Sequence, residues 1–291
     1  MFWIIFALAS AVAIAGYRVT TRHIMKSHSP WAYALMVNLI GAAYTAPLLI
    51  ADLGEPLPTT VWPWLLVAIA AALWATIMVV AFTTMKLLPV SRREQISQVE
   101  VLFVLCFGLL FLKESMTWTK GIGVAFVIGG ALVAAMGRSA IYNGWKSKGV
   151  ILTVLVAALY ALVAIVDKAA LQYFPTGMYT FLEYLLPGLI LAFGLTRKKA
   201  WHETKHLISH KGWPLLGATA LSVTGYYLAL RAYDLADASI VYTVLKMSTI
   251  VAVIGGLVFF REERVHIKRK LIAAVLVVIG AIIIAGGSFF V

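Results

Sequence analysis

Glu100, Glu183 and Lys246 each stand inside a run of apolar residues long enough to form a buried helix. A charged side chain at the centre of a hydrocarbon layer costs on the order of 3 kcal/mol on insertion scales, so such a group faces a cavity or a partner. The chemistry open to these groups is binding an opposite charge, or taking up and releasing a proton. Glu100 is about ten residues into its run, roughly 15 Å at helical rise. It reads as a substrate contact or as the carrier of a coupled proton, against the plainer reading of a hydrogen-bonded structural glutamate. Lys246 is shallower and belongs to a polar stripe of Ser239, Tyr242, Lys246 and Thr249 at helical spacing. A stripe of this kind lines water or another helix; the alternative is a lysine that snorkels to the interface. Glu183 divides evenly between cavity and structural pairing.

Further polar and aromatic residues extend the candidate binding set. Ser91, Gln95 and Gln98 share one helix face before Glu100, with Arg93 and Ser97 beside it. Asn38 is deep in its run and suits a helix–helix hydrogen bond or a substrate contact. Trp74, Tyr160, Tyr226, Tyr227 and Tyr242 are placed to line an aromatic pocket. Asp167-Lys168 and the group Arg231, Asp234 and Asp237 fall at helix ends and read as interfacial salt bridges. Glu114 and Glu262 end two apolar runs at the water boundary, as caps or gates. No phosphate-binding Walker loop is present, so ATP is not expected as a direct energy source. No cysteine and histidine cluster has metal-ligand spacing, and neither an enzyme nor a cofactor is expected. His202, His206 and His210 would share a helix face, but they fall in a connecting loop and read as solvated. The single cysteine, Cys106, reads as a small buried hydrophobe.

The elements that position these residues are membrane helices. The 291 residues are 62% hydrophobic and 12% charged, against about a quarter charged in a soluble domain. Mean hydropathy is +0.94, and apolar runs of about twenty residues, the length that crosses a bilayer, recur from end to end. Continuous rather than alternating apolar runs exclude a β-barrel. Ten spans are expected, at 2–22, 31–51, 61–85, 90–112, 118–136, 149–171, 176–195, 212–232, 239–260 and 268–288. The first has no basic residues ahead of it and is read as a span rather than a signal peptide. Trp31, Trp62, Trp64, Trp118, Trp145 and Trp213 lie near span ends, as an interfacial belt requires. The links at 137–148 and 196–211 are the longest, and no room remains for a soluble domain.

The chain repeats itself. Gly108-Leu109-Leu110-Phe111-Leu112-Lys113-Glu114 matches Gly256-Leu257-Val258-Phe259-Phe260-Arg261-Glu262 at an offset of 148, which also pairs Gln98 with Lys246 and Lys120 with Lys268. At an offset of 146, Arg22 pairs with Lys168 and Tyr33 with Tyr179. The expected organisation is a first five-helix repeat at 1–138, a linker at 139–148 and a second five-helix repeat at 149–291. An odd number of spans per repeat inverts the second relative to the first, the recurring architecture of secondary transporters. Spans 4 and 9 become symmetry mates, so Glu100 and Lys246 could face one cavity. Lys and Arg concentrate in the loops after odd spans, and these account for the net charge of +12 without nucleic acid. Those loops are expected in the cytoplasm, with both termini outside.

Ten spans, two five-span repeats, and the Phe-Leu-Lys-Glu and Phe-Phe-Arg-Glu endings of spans 4 and 9 resemble the drug/metabolite transporter superfamily, EamA-type members above all. The family pattern is usually Leu-Gly-Glu, preceded upstream by Glu-Pro or Ser-Pro. Here Lys113-Glu114 and Arg261-Glu262 replace Gly-Glu, and Glu100-Val101 and Ser248-Thr249 stand where the proline pairs would be. The resemblance implies a central cavity walled by spans 1–4 and 6–9, within reach of Gln98, Glu100, Glu183 and Lys246. The paired Lys-Arg of sugar-phosphate-carrying relatives is absent, since Met247 follows Lys246. The expected function is secondary transport of a small polar or amphipathic metabolite across the plasma membrane. An amino-acid-like zwitterion moving outward is favoured, because the cavity would offer both charge signs. A flippase for a lipid-linked sugar or phospholipid, and a non-transporting scaffold, are the competing classes. The expected partners are the substrate and the bilayer, and the architecture is compatible with a homodimer.

Overall fold

The computed structural model describes residues 2–25, 28–88, 93, 96–114, 116–135, 147–193, 198–246 and 248, with isolated helical positions between 272 and 283. Within them every regular element is a helix. The helices are α1 (Phe2–Met25), α2 (Pro30–Ala51), α3 (Val61–Leu87), α4 (Glu100–Phe111), α5 (Trp118–Ala135), α6 (Lys148–Ala170), α7 (Thr176–Ala192), α8 (Lys198–Leu235) and α9 (Ala238–Leu245). In lipid each backbone polar group must be satisfied inside the chain, which leaves the helix as the economical solution for an apolar run. Phe2–Met25, Pro30–Ala51, Val61–Met85 and Lys148–Ala170 are each long and apolar enough to cross a bilayer. Buried hydroxyls obey the same constraint. Thr45, Thr153, Thr180, Thr219 and Thr243 each donate to the carbonyl one turn earlier. Most of the ninth and of the tenth expected spans lie outside the described residues.

The helices pack as two interlocked repeats. α1 packs on α8 as α3 packs on α6; α2 packs on α8 as α3 packs on α7; and α1 meets α9 as α6 meets α4. Each pair of contacts interconverts when the repeats are exchanged, and two further contacts, α2 with α7 and α4 with α9, map onto themselves. That pattern is a two-fold pseudosymmetry. Two crossings depend on glycine. Gly41 of α2 lies directly beneath the Tyr184 ring of α7, and Gly225 of α8 accepts a 2.6 Å bond from Ser10 of α1 through its carbonyl. The symmetry extends to single bonds: Thr21 and Tyr33 share a 2.7 Å hydrogen bond in the first repeat, and Tyr179 donates to Asp167 over 2.8 Å in the second.

Three expectations need correction. Of the expected link at 196–211, residues 198–211 are not simply a link, because α8 begins at Lys198, breaks at Lys211 (φ −134°, ψ 23°) and resumes into the span. Span 4 is not continuous either. A 3₁₀ turn at Ser97–Val99 precedes α4, which places Glu100 in the first turn of the regular helix rather than midway along one. The break occurs without a proline. Cys106 is exposed rather than buried, on the outer face of α4. Trp62, Trp64, Trp118 and Trp213 are exposed near helix ends, where a belt would sit.

Candidate functional site

A cavity of about 180 Å³ runs between the repeats. Its longest wall is α6, which contributes Thr153, Val156, Ala157, Tyr160, Val163, Ala164 and Asp167. These recur every three or four residues, as one face of a helix must, over roughly 21 Å of helical rise. α1 adds Tyr17 and Arg18, α3 adds Trp74 and Met78, α7 adds Glu183 and Tyr184, and α8 adds Ser222, Tyr226 and Tyr233. α9 adds Tyr242 and, at its C-cap, Lys246; Arg93, Ser97 and Glu100 come from the start of span 4.

Glu100 and Lys246 form a buried ion pair across the pseudo-two-fold, with side chains 4% and 3% exposed. Helix ends set their signs. Glu100 lies in the first turn of α4, at the positive end of its dipole, and Lys246 caps the C-terminus of α9, at the negative end of its own. The Lys246 Nζ also lies 5.3 Å from the Tyr242 ring centroid, a cation–π distance. Arg93 is buried and its Nε donates to Thr84 Oγ1 over 2.9 Å.

The aromatic wall centres on Trp74. Its ring meets Tyr160 edge-on at 5.6 Å and Tyr226 at 5.3 Å, and its Nε1 donates to Tyr226 Oη over 3.3 Å. Tyr226 donates in turn to Asp167 Oδ2 over 3.0 Å, and Tyr179 to Asp167 Oδ1. Asp167 is 1% exposed, and among the described residues it bonds two tyrosines rather than a salt-bridge partner, contrary to the sequence reading. Lys168 points the other way and donates to the carbonyl of Tyr233. Glu183 is 3% exposed, and neither of its carboxyl oxygens has a hydrogen-bond partner among the described residues.

Other sequence candidates fall elsewhere. Tyr227 does not line the cavity; Tyr226 does, because successive helical residues point about 100° apart. Asn38 lies off the cavity, where its Nδ2 donates to Ala34 O over 2.8 Å and to Met78 Sδ over 2.9 Å, joining α2 to α3. Gln95 and the side chain of Gln98 lie outside the described residues, as do Ser91, Thr249 and Glu262. Asp167 was the residue that sequence reasoning missed. The signal was present, since Asp167 stands at the same offset of 146 from Thr21 as Tyr179 does from Tyr33.

The two repeats are tied together at the end of the bundle opposite the Lys- and Arg-rich loops. Glu114 receives the backbone N–H of Ala238 over 2.7 Å, and Ser239 Oγ bonds the same carboxylate. It thus caps α9 from the other repeat. Lys120 is 2.7 Å from Asp237 and 3.8 Å from Glu114, so Asp237 pairs across the repeats rather than with Arg231. Asp52 does similar work at the end of α2, accepting the N–H of Met178 over 2.8 Å. Lys113, beside Glu114, is a non-glycine residue at φ 55°. The family pattern has glycine there, and this backbone explains why.

At the opposite end, 198–210 forms a helix against the α1–α2 turn. His206 stacks on His210 at 4.1 Å and meets His28 at 5.4 Å; His202, His206 and His210 are exposed as expected, but on a helix rather than in a loop. Among the described residues no group of three or more His, Cys, Asp or Glu side chains is placed to hold a metal ion.

A family model described as "EamA-like transporter family" matches residues 1–136 and again 147–286. A solved structure titled only "Crystal structure of protein" aligns over 97% of this chain and 95% of its own, with a TM-score of 0.69 at 12% identity. That likeness concerns the fold alone. No curated protein matches the chain.

Proposed function

The chain belongs to the EamA-like transporter family and is a multi-pass membrane protein, and from that premise we propose that it moves a small zwitterionic, amino-acid-like metabolite by alternating access. The observation that carries this reading is the Glu100–Lys246 pair in the wall of a cavity faced with Trp74, Tyr160 and Tyr226. A zwitterion can replace such a pair term by term. Its carboxylate takes Lys246, its ammonium takes Glu100, and a side chain packs against the aromatic wall. The desolvation penalty of the empty pair is then not added to that of the substrate. The cavity is smaller than the roughly 300–1,000 Å³ of sites for drug-sized ligands, which favours a small metabolite over a lipid-linked sugar.

Alternating access requires each end of the cavity to open in turn. Glu114, Ser239, Lys120 and Asp237 are the bonds that opening of their end must break. In the orientation expected from the Lys and Arg bias, that end faces outward, the histidine-bearing end is cytoplasmic, and the membrane is the plasma membrane. The direction is export.

The test is counterflow of a panel of labelled amino acids by the purified chain in proteoliposomes. Saturable exchange of one or more panel members is expected, reduced at least tenfold in Lys246→Gln and less in Tyr242→Phe. Scrambling of a fluorescent phospholipid by the same vesicles, with no amino acid exchanged, would overturn the reading in favour of a flippase.

A further inference from the structure

We propose that Glu183 and Asp167 form a proton-binding carboxyl pair in the cavity wall, with the proton held on Glu183 and Asp167 kept as the anion by two tyrosines. Its use in coupling rests on the transport reading; the proton itself does not.

The repeat symmetry isolates the pair. In the first repeat the equivalent of Asp167 is Thr21 and the equivalent of Glu183 is Val37, at the offset of 146 that relates Tyr33 to Tyr179. Thr21 and Val37 are fully buried. The Thr21–Tyr33 bond shows that a hydroxyl suffices to tie these two helices together, and Val37 shows that an apolar side chain suffices at the second position. Two carboxyls in the second repeat are therefore beyond what packing requires. Both line the cavity, and neither lines it in the first repeat's version.

The surroundings divide the roles. Each oxygen of Asp167 accepts a phenolic hydroxyl, from Tyr179 at 2.8 Å and Tyr226 at 3.0 Å, which suits a carboxylate. Glu183 lies one helical turn beyond Tyr179, on the same face of α7, and is 3% exposed with no hydrogen bond to either oxygen among the described residues. A buried carboxylate without donors bears a large desolvation cost, and a neighbouring carboxylate adds to it. The protonated acid removes both.

Among the described residues, the elements packed on α7 bring no cation to Glu183. α7 itself offers Tyr179 and Tyr184, α8 offers Tyr226, and α3 faces the cavity with the uncharged Trp74 and Met78. The cavity's bases are engaged elsewhere. Lys246 is bound to Glu100, Arg93 bonds Thr84, and Arg18 lies toward the basic end of α1. Glu100, the sequence's own candidate for the proton, is instead bonded to Lys246. The exchange is a simple transfer: the Glu183 carboxylate takes a proton from water on the side to which the cavity opens, and returns it to water on the other.

Infrared difference spectroscopy on the full chain in lipid nanodiscs reads this without any substrate. At neutral pH the protein is expected to show a protonated-carboxyl C=O band that shifts in D₂O. Glu183→Gln should abolish the band, Glu100→Gln should leave it, and Glu183→Asp should restore one. Asp167→Asn, which removes the neighbouring charge, should move the band's titration midpoint down by about one pH unit or more. A band unchanged in both Glu183→Gln and Asp167→Asn, or no band in the wild-type protein, would overturn the assignment. Absence of transport with the band intact would instead count against the transport reading alone.

Discussion

Removing one partner of the Glu100–Lys246 pair should destabilise the protein far more than removing both. With side chains 4% and 3% exposed, the pair belongs to the buried class, not to the surface class worth about 0–1 kcal/mol. Glu100→Gln or Lys246→Gln alone leaves a buried charge without its counterion, at a cost of about 3–5 kcal/mol. For a chain of this size each kcal/mol moves the midpoint by about 2 °C, so each single variant should melt roughly 6–10 °C lower. The double variant Glu100→Gln/Lys246→Gln exposes no lone charge and should recover most of that loss, giving a coupling energy of about 4 kcal/mol or more, above the usual 0.5–3 kcal/mol. The charge-reversed pair, Glu100→Lys/Lys246→Glu, tests the helix ends separately. It restores the attraction but opposes both helix dipoles, and should remain about 1–2 kcal/mol below wild type. The assay is the fraction of monodisperse detergent-purified protein after heating at one fixed rate, since unfolding of such a chain is irreversible. Additive losses in the double variant, or single variants within 2 °C of wild type, would refute the reasoning that starts from ~3 kcal/mol.

The remaining predictions concern the two ends of the bundle. Lys113→Gly should stabilise the chain by roughly 0.5–1 kcal/mol, because φ 55° is strained for lysine and free for glycine, partly offset by the flexibility glycine adds to the unfolded chain; the same heating assay reads it. Glu114→Gln keeps the shape but weakens the cap on Ala238 and Ser239, and should cost about 1–2 kcal/mol and raise hydrogen exchange at the start of α9. At the other end, desolvation and then the charges His210, His28 and His202 would bring hold the His206 imidazole below its usual range. A base whose affinity for protons is lowered by a contact takes its proton more readily when the contact is open. The stack should therefore be intact above about pH 6.5 and loosen as pH falls below it. Histidine resonances in a pH titration check this, and His206→Phe should remove the dependence.

Much of the architecture was legible in residue types alone. Apolar runs of bilayer length identified the helices, and Ser29-Pro30 and Pro175-Thr176 marked two of their starts, because lipid leaves the backbone few alternatives. The repeated Lys113-Glu114 and Arg261-Glu262 endings revealed the two halves. The breaks were less legible. Nothing in Ser97-Gln98-Val99 forbids a helix, and the 3₁₀ turn there is a tertiary choice. Residues 198–210 look like a polar loop until Thr204 and Leu207 are seen buried against the rest of the chain.

The sequence by itself determined that charged groups would be buried in matched helices of an inverted pair, since hydropathy and repeat offset are properties of the string. Which charges meet was decided by tertiary structure. Glu100 and Lys246 are 146 positions apart, and their pairing depends on how α4 and α9 rotate about the pseudo-two-fold. Asp167 looked like a helix-end salt bridge because its neighbour is Lys168; a turn of about 100° per residue sends the two in different directions, one to the cavity and one to the Tyr233 carbonyl. Glu183 was visible as a buried acid, but only the packing of α6, α7 and α8 left it without a donor among the described residues and put it in one cavity with a second carboxyl.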